Sequence, residues 1–193
     1  MDTYDSHIIG FQEEISKAID ISEEDFIRWF NNSGNTNEAL ISGFWDFSYH
    51  IIRPITPFIR KPYTKTALEI GYGGGRLLGP AACFFNKVIG IDIHQHEERV
   101  KKIIYNTYHR KNVTCLRSNG TSIPVPDTSV DLVYSFIVLQ HVEKIDIFSQ
   151  YLKETYRVLK PGGIAMIYFG RKTWISFNQP SKIKYYVDRA LET

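Results

Sequence analysis

The chain has 193 residues, enough for one α/β domain with an N-terminal extension. Its 43% hydrophobic and 23% charged residues exclude a disordered chain, and its longest apolar run, Leu132 to Leu139, is broken by Tyr134 and Ser135 and falls far short of the roughly 20 residues of a membrane-spanning helix. The net charge of +2 divides into −6 over residues 1–60 (10 acidic, 4 basic) and +8 over residues 61–193 (11 acidic, 19 basic), which reads as an acidic cap facing a basic domain, because no aromatic-interleaved basic stripe points to nucleic acid.

The first residues, Met1-Asp2-Thr3-Tyr4-Asp5, have no basic or apolar segment of the secretory kind, and the cysteines are Cys83 and Cys115 alone. A cytoplasmic protein with free thiols is expected. Ser22 stands three residues before Asp25 and ahead of Phe26, Ile27, Trp29 and Phe30, a capping pattern that predicts a helix start. That helix should stop in Asn31-Asn32-Ser33-Gly34-Asn35. A second, aromatic-rich helix is expected from about Asn37 to Ile52, ended by Arg53-Pro54. Residues 1–60 together read as a helical cap or lid, and residues 61–193 as the main domain, with Lys61-Pro62 at the boundary.

From Lys65 onward, short apolar runs alternate with amphipathic segments. Ala67–Ile70, Val88–Ile91, Val113–Leu116, Asp131–Ile137 and Gly163–Phe169 read as strands, with helical spacing over His96–Tyr108 and Ile145–Leu159. This β-α-β succession predicts a mostly parallel, Rossmann-like sheet flanked by helices. Pro80 forbids a helix running from Gly75, so the helix is expected to begin near Gly79 with Pro80 in its first turn. After Gly170 only 24 residues remain. They suffice for a loop through Trp174 and Phe177 and one helix over Ser181–Leu191, so the sheet edge should be left open, through shortening of a longer protein or with a second copy as a homo-oligomeric cover; the resemblance described below implies that the terminal β-hairpin of the usual fold is missing.

The chemistry concentrates where the first strand ends, at Leu68-Glu69-Ile70-Gly71-Tyr72-Gly73-Gly74-Gly75. Glycines let a backbone approach a ligand closely, and the following helix offers unpaired N–H groups. Nineteen residues after Gly73, Asp92 ends the second strand with a carboxylate able to accept both hydroxyls of a ribose. The dinucleotide pattern G-x-G-x-x-G fails at Arg76 or at Leu78, depending on the starting glycine, which weakens an NAD reading; the phosphate-binding P-loop pattern fails as well. A nucleoside cofactor is thus indicated and its identity left open by these residues.

Further motifs follow: Ser118-Asn119-Gly120-Thr121, Ile123-Pro124-Val125-Pro126-Asp127 running to Val133, Leu139-Gln140-His141-Val142, and Arg157-Val158-Leu159-Lys160-Pro161-Gly162-Gly163. With the glycine loop and Ile91-Asp92 they make the segment from about residue 65 to 171 resemble class I methyltransferases dependent on S-adenosylmethionine (SAM), especially the small-molecule group related to quinone-biosynthesis methyltransferases. The resemblance implies that Glu69, Gly71 and Gly73 line the methionine side, that Asp92 holds the ribose, and that Asn119 and Gly120 flank the adenine, with Tyr72, Ile93, Thr121 and Phe136 as further cofactor contacts. The family usually carries an acidic residue at the place of Asn119 and a smaller one at that of Tyr72.

The implied reaction moves a methyl group in line from SAM to an O, N or C nucleophile of a small molecule and leaves S-adenosylhomocysteine (SAH); it requires no metal. His94 and His96 read as solvated rather than as metal ligands. If the acceptor must lose a proton, the candidate bases are His141, His50 and Tyr49. Two other readings stand beside this one, a non-catalytic partner subunit of the same fold and an NAD-dependent oxidoreductase.

Overall fold

The computed structural model describes residues 22–31, 36–142 and 144–168. The expectations for residues 1–21, for the loop through Trp174 and Phe177, for the helix over Ser181–Leu191 and for the missing hairpin lie outside the described residues.

Helix α1 (Glu23–Asn31) starts as the capping pattern predicts: Ser22 Oγ accepts the Asp25 N–H at 3.0 Å and donates to the Asp25 carboxylate at 2.7 Å. Helix α2 (Thr36–Asp46) does not stop at Arg53-Pro54 as expected; it widens into a π-helical turn (Phe47–Ile52), where the Arg53 N–H bonds back to Ser48, and ends in one more turn (Arg53–Ile55). Pro54 is tolerated because the α-helical partner it denies to the His50 carbonyl is replaced by Tyr168, whose hydroxyl donates to that oxygen at 3.2 Å.

The main domain runs β1 (Thr66–Ile70), α3 (Leu78–Phe84), β2 (Lys87–Asp92), α4 (Glu97–Tyr108), β3 (Val113–Arg117), β4 (Val130–Phe136), α5 (Ile145–Val158) and β5 (Leu159–Tyr168). Pro80 does occupy the first turn of α3. The five strands form one parallel sheet in the order β3-β2-β1-β4-β5. The chain therefore reverses direction between β1 and β4, and the carboxyl ends of these strands part there into a crevice. β5 starts four residues before the expected Gly163 and takes in Lys160-Pro161-Gly162-Gly163 as a bulge: the pairing steps from Val130 with Leu159 to Leu132 with Ile164. Pro161 has no N–H to offer the ladder, and Gly162 takes φ +78°, so the extra residues loop out of the pairing.

Alternation along β1 assigns the two cores. Ala67 faces one layer with Val88, Leu132 and Tyr134, packed by Leu78 and Ala81 of α3 and by Val100, Ile103 and Ile104 of α4. Leu68 and Ile70 face the other, with Ile89, Ile91 and Val133, covered by Tyr151 and Val158 of α5. Phe26, Ile27, Ala39, Phe47, Ile51 and Ile55 are buried in the first of these layers, so the described helices before residue 60 share the core of the sheet.

At the amino end of the sheet, Asp131 accepts the Thr66 N–H at 3.0 Å and the ammonium groups of Lys65 at 3.1 Å and Lys160 at 2.8 Å, tying β1, β4 and β5 together. Burial alone would raise its pKa, but these donors outweigh burial and hold the carboxyl below its ordinary 3.8. A carboxyl whose pKa falls on folding stabilises the protein above its unfolded pKa and loses that contribution as pH falls through the folded value. Asp131→Asn is accordingly expected to cost about 1–3 kcal/mol in urea unfolding at pH 7 and progressively less as the pH is taken below about 4. Phe26→Ala should cost about 3–5 kcal/mol by the same measurement, as for a side chain in a continuous core; a change under 1 kcal/mol would mark α1 as a loosely attached cover.

Candidate functional site

A cavity of about 390 Å³ opens at the crevice where the strand order reverses, walled by the carboxyl ends of β1, β2 and β4. Its floor is the glycine loop after β1, Gly71 to Gly74. Gly71 has φ +77°, and a Cβ there would lie 2.3 Å from Val138, so the loops after β1 and β4 can close on each other only without a side chain. Gly73 has φ +49°, and its missing Cβ would meet the Phe30 ring of α1 at 2.7 Å. The intrusion that a side chain at Gly73 would cause is first on the cap helix.

Two side chains from the end of β2 hold this loop. Asp92 Oδ2 accepts the Gly73 N–H at 2.8 Å while Oδ1 accepts the Ile93 N–H at 2.7 Å. His94, expected to be solvated, is instead 4% exposed. The His96 N–H lies 3.2 Å from its Nδ1, which makes Nδ1 the acceptor and leaves the proton on Nε2; that proton is donated to the Gly73 carbonyl at 3.0 Å. The ring is buried among Tyr72, Phe30 and Phe26, with centroids at 4.9, 5.5 and 6.2 Å. Among the described residues, no group of three or more His, Cys, Asp and Glu is placed to hold a metal ion.

The structure brings Glu69, Gly71, Tyr72, Gly73, Asp92, Ile93, Phe136 and His141 to the cavity wall. Tyr72 contributes with its ring turned into the core, where burial raises its phenol pKa and its hydroxyl finds no hydrogen-bond partner among the described residues. Asn119, Gly120 and Thr121 are not part of the wall. The Asn119 Oδ1 accepts hydrogen bonds from Thr121 and Ser122, backbone and hydroxyl of each, between 2.7 and 3.0 Å, which closes a local turn. Gly120 sits against Ile93, a wall residue, at 3.9 Å from where its Cβ would be. Tyr49 and His50 are likewise outside the wall: Tyr49 is exposed beneath the Arg53 guanidinium, and the His50 ring packs behind Phe136 at 5.1 Å.

Sequence reasoning missed several wall residues. Trp29 and Phe30 reach in from α1, and Ser118 and Tyr151 join the wall as well. Ile137, Val138 and Leu139 form the rim after β4, and Ile137 holds φ +60°, a left-handed backbone that a β-branched residue adopts only under strain. Arg76, noticed only for breaking the dinucleotide pattern, joins the wall and ion-pairs with Asp46 of α2 while its guanidinium stands 5.8 Å from the Phe136 ring. The available signal was position: Ser118 adjoins Asn119 and Ile137 follows a strand end, whereas nothing in the spacing of Trp29 ties it to the glycine loop.

Comparison with known proteins agrees with this geometry. A methyltransferase domain family model matches residues 68–167. A Mycolicibacterium smegmatis protein named as a probable S-adenosylmethionine-dependent methyltransferase is 29% identical over 135 residues, covering 68% of this chain and 49% of that protein. A ubiquinone biosynthesis O-methyltransferase of Bartonella bacilliformis is 28% identical over 122 residues, covering 63% of this chain and 48% of that protein. The chain spans about half the length of these relatives. A SAM-dependent methyltransferase structure from Aquifex aeolicus superposes with TM-score 0.52 at 23% identity, covering 76% of this chain and 80% of that one. A Haemonchus contortus phosphoethanolamine N-methyltransferase, solved with phosphoethanolamine and SAH, superposes with TM-score 0.56 at 17% identity, covering 83% and 32%. With the matched model extending from β1 through β5, the chain belongs to the methyltransferase domain family.

Proposed function

We propose that this chain binds SAM in the cavity at the carboxyl end of the sheet and serves transfer of its methyl group to a small-molecule acceptor, as the names of its relatives suggest. The observation that carries the reading is the Asp92 carboxylate, which borders the cavity and pins the glycine loop through Gly73. Each of its oxygens is used by one backbone N–H, so lone pairs remain for the hydroxyls of a ribose. The volume suits a nucleoside-sized ligand, and the wall mixes apolar rings with a few polar groups in the way small-molecule sites do.

When bound, SAM supplies a methyl carbon activated by a sulfonium. The chain's own contribution is placement and exclusion of water. The glycine loop gives backbone contact, Asp92 fixes the ribose, and Phe136 and Ile137 set the apolar side of the chamber. Trp29 and Phe30 close it from the cap, which supports the reading of residues before 60 as the cover of the acceptor side, built into the core rather than detachable. His141, in the short helical turn after β4, is the proposed group for taking an acceptor proton, because it reaches the wall while His50 and Tyr49 do not. Among the described residues no helix is long and apolar enough to cross a membrane, and we place the protein in the cytoplasm on that basis together with its free Cys83 and Cys115.

SAH should bind and NAD should not, by isothermal titration; NAD binding with SAH excluded would overturn the cofactor reading. Asp92→Ala should weaken SAH binding by about 1–3 kcal/mol through lost hydrogen bonds to the ribose and slackening of the loop. An unchanged dissociation constant in the folded variant would remove Asp92 from the site.

A further inference from the structure

Ala39, Gly43, Phe47, Ile51 and Ile55 recur at steps of four along α2 and the turns that continue it, and all five are buried. Gly43 is pressed so closely inward that a Cβ there would lie 2.3 Å from the Arg76 carbonyl oxygen, so the helix cannot turn to bury another side. Two residues out of step with this inner row, Ile41, Trp45 and Tyr49 are 62%, 70% and 55% exposed, and they lie on the opposite side. Arg53 continues their row, its guanidinium 5.0 Å from the centre of the Tyr49 ring. Glu38, also exposed, stands one turn ahead of Ile41. Single exposed apolar residues are ordinary, but three large ones in line make a patch. The outer row thus reads acid, three apolar groups, base.

We propose that this face is the contact between two copies of the chain, related by a two-fold axis at Trp45 with the two α2 helices antiparallel. Such an axis sets each residue opposite the one equally far on the other side of Trp45: Ile41 meets Tyr49 of the second copy, the two Trp45 rings meet, and Glu38 comes within one residue of Arg53 of the second copy. The face is its own complement. A parallel pair would set Glu38 on Glu38 and Arg53 on Arg53, and a surface of anionic lipid would repel Glu38, so neither fits the order of charges. Within one chain Glu38 and Arg53 are separated by roughly 20 Å of helix and cannot pair with each other. Asp46, next to Trp45, holds Arg76 of the cavity wall, so the contact braces the helix that holds the wall.

Gel filtration with light scattering reads the mass of the full chain directly. Wild-type protein loaded at about 1 to 100 μM should pass from the mass of one chain toward that of two as concentration rises. Trp45→Glu sets two carboxylates at the axis and should raise the dimer dissociation constant at least about thirtyfold. Glu38→Arg and Arg53→Glu should each raise it by about tenfold, whereas the double variant should recover most of the loss, because opposite charges then meet again across the antiparallel pair. Far-UV circular dichroism checks the fold of each variant; should Trp45→Glu not fold, the exchanged charges carry the test. A wild-type mass of one chain throughout, a dimer that Trp45→Glu leaves intact, or a double variant weakened by both single losses together would overturn the proposal. So would a monomer that sediments with vesicles of phosphatidylcholine and phosphatidylglycerol and loses this on Trp45→Glu, which would assign the face to lipid.

Discussion

A loop of glycines has no side chains with which to hold its own shape, and here the shape is imposed from the neighbouring strand. Gly73 presents one N–H and one carbonyl, and β2 answers both: Asp92 takes the N–H at 2.8 Å and the Nε2–H of His94 donates to the carbonyl at 3.0 Å. His94 can do this in only one tautomer, which the His96 N–H selects from the other side of the ring. Its ring is then walled by Tyr72, Phe30 and Phe26, so the cap helix helps fix the floor of the cavity. Strand end, glycine loop and cap thus form a single mechanical unit, and the crevice between β1 and β4 is the space left above it.

Charge is distributed around that unit with a clear division. Asp131 and Glu154 lie next to lysine and arginine and keep their pKa values low, stitching strands and loops at some distance from the cavity. Glu69 is paired with no cation among the described residues, and burial pushes it the other way. The electrostatic contrast between an acidic first third and a basic remainder finds one concrete expression in the Asp46–Arg76 ion pair, which joins α2 to the glycine loop and withholds the nearby guanidinium from Glu69.

The inner strands β1, β2 and β4 are legible in sequence because both of their faces are buried, leaving near-continuous apolar runs such as Leu132-Val133-Tyr134 bounded by turn residues. Pro80 at the start of α3 and Asp92 at the end of β2 were legible for equally local reasons, a missing N–H and a carboxylate closing a strand. What was not legible depends on partners far along the chain. The continuation of α2 past Pro54 needs Tyr168, more than a hundred residues away, to satisfy the His50 carbonyl. The burial of His94 needs three aromatic rings from two other segments, and a histidine just past a strand carries no local mark of them. The bulge at Lys160–Gly163 looks like a turn in sequence and differs only in that both of its flanks pair with β4. Asn119 shows the converse case, since an Asn-Gly pair has its own local chemistry and the side-chain oxygen is used within the turn.

The account stands on the claim that the crevice above the Asp92–Gly73–His94 unit is the cofactor site. A crystal structure of the protein grown with SAH tests it most directly. The account predicts the nucleoside in the cavity between β1 and β4, with ribose hydroxyls within hydrogen-bond distance of the Asp92 carboxylate and the amino-acid end toward Glu69. SAH bound elsewhere on the protein, or in the cavity with its ribose out of reach of Asp92, would contradict it.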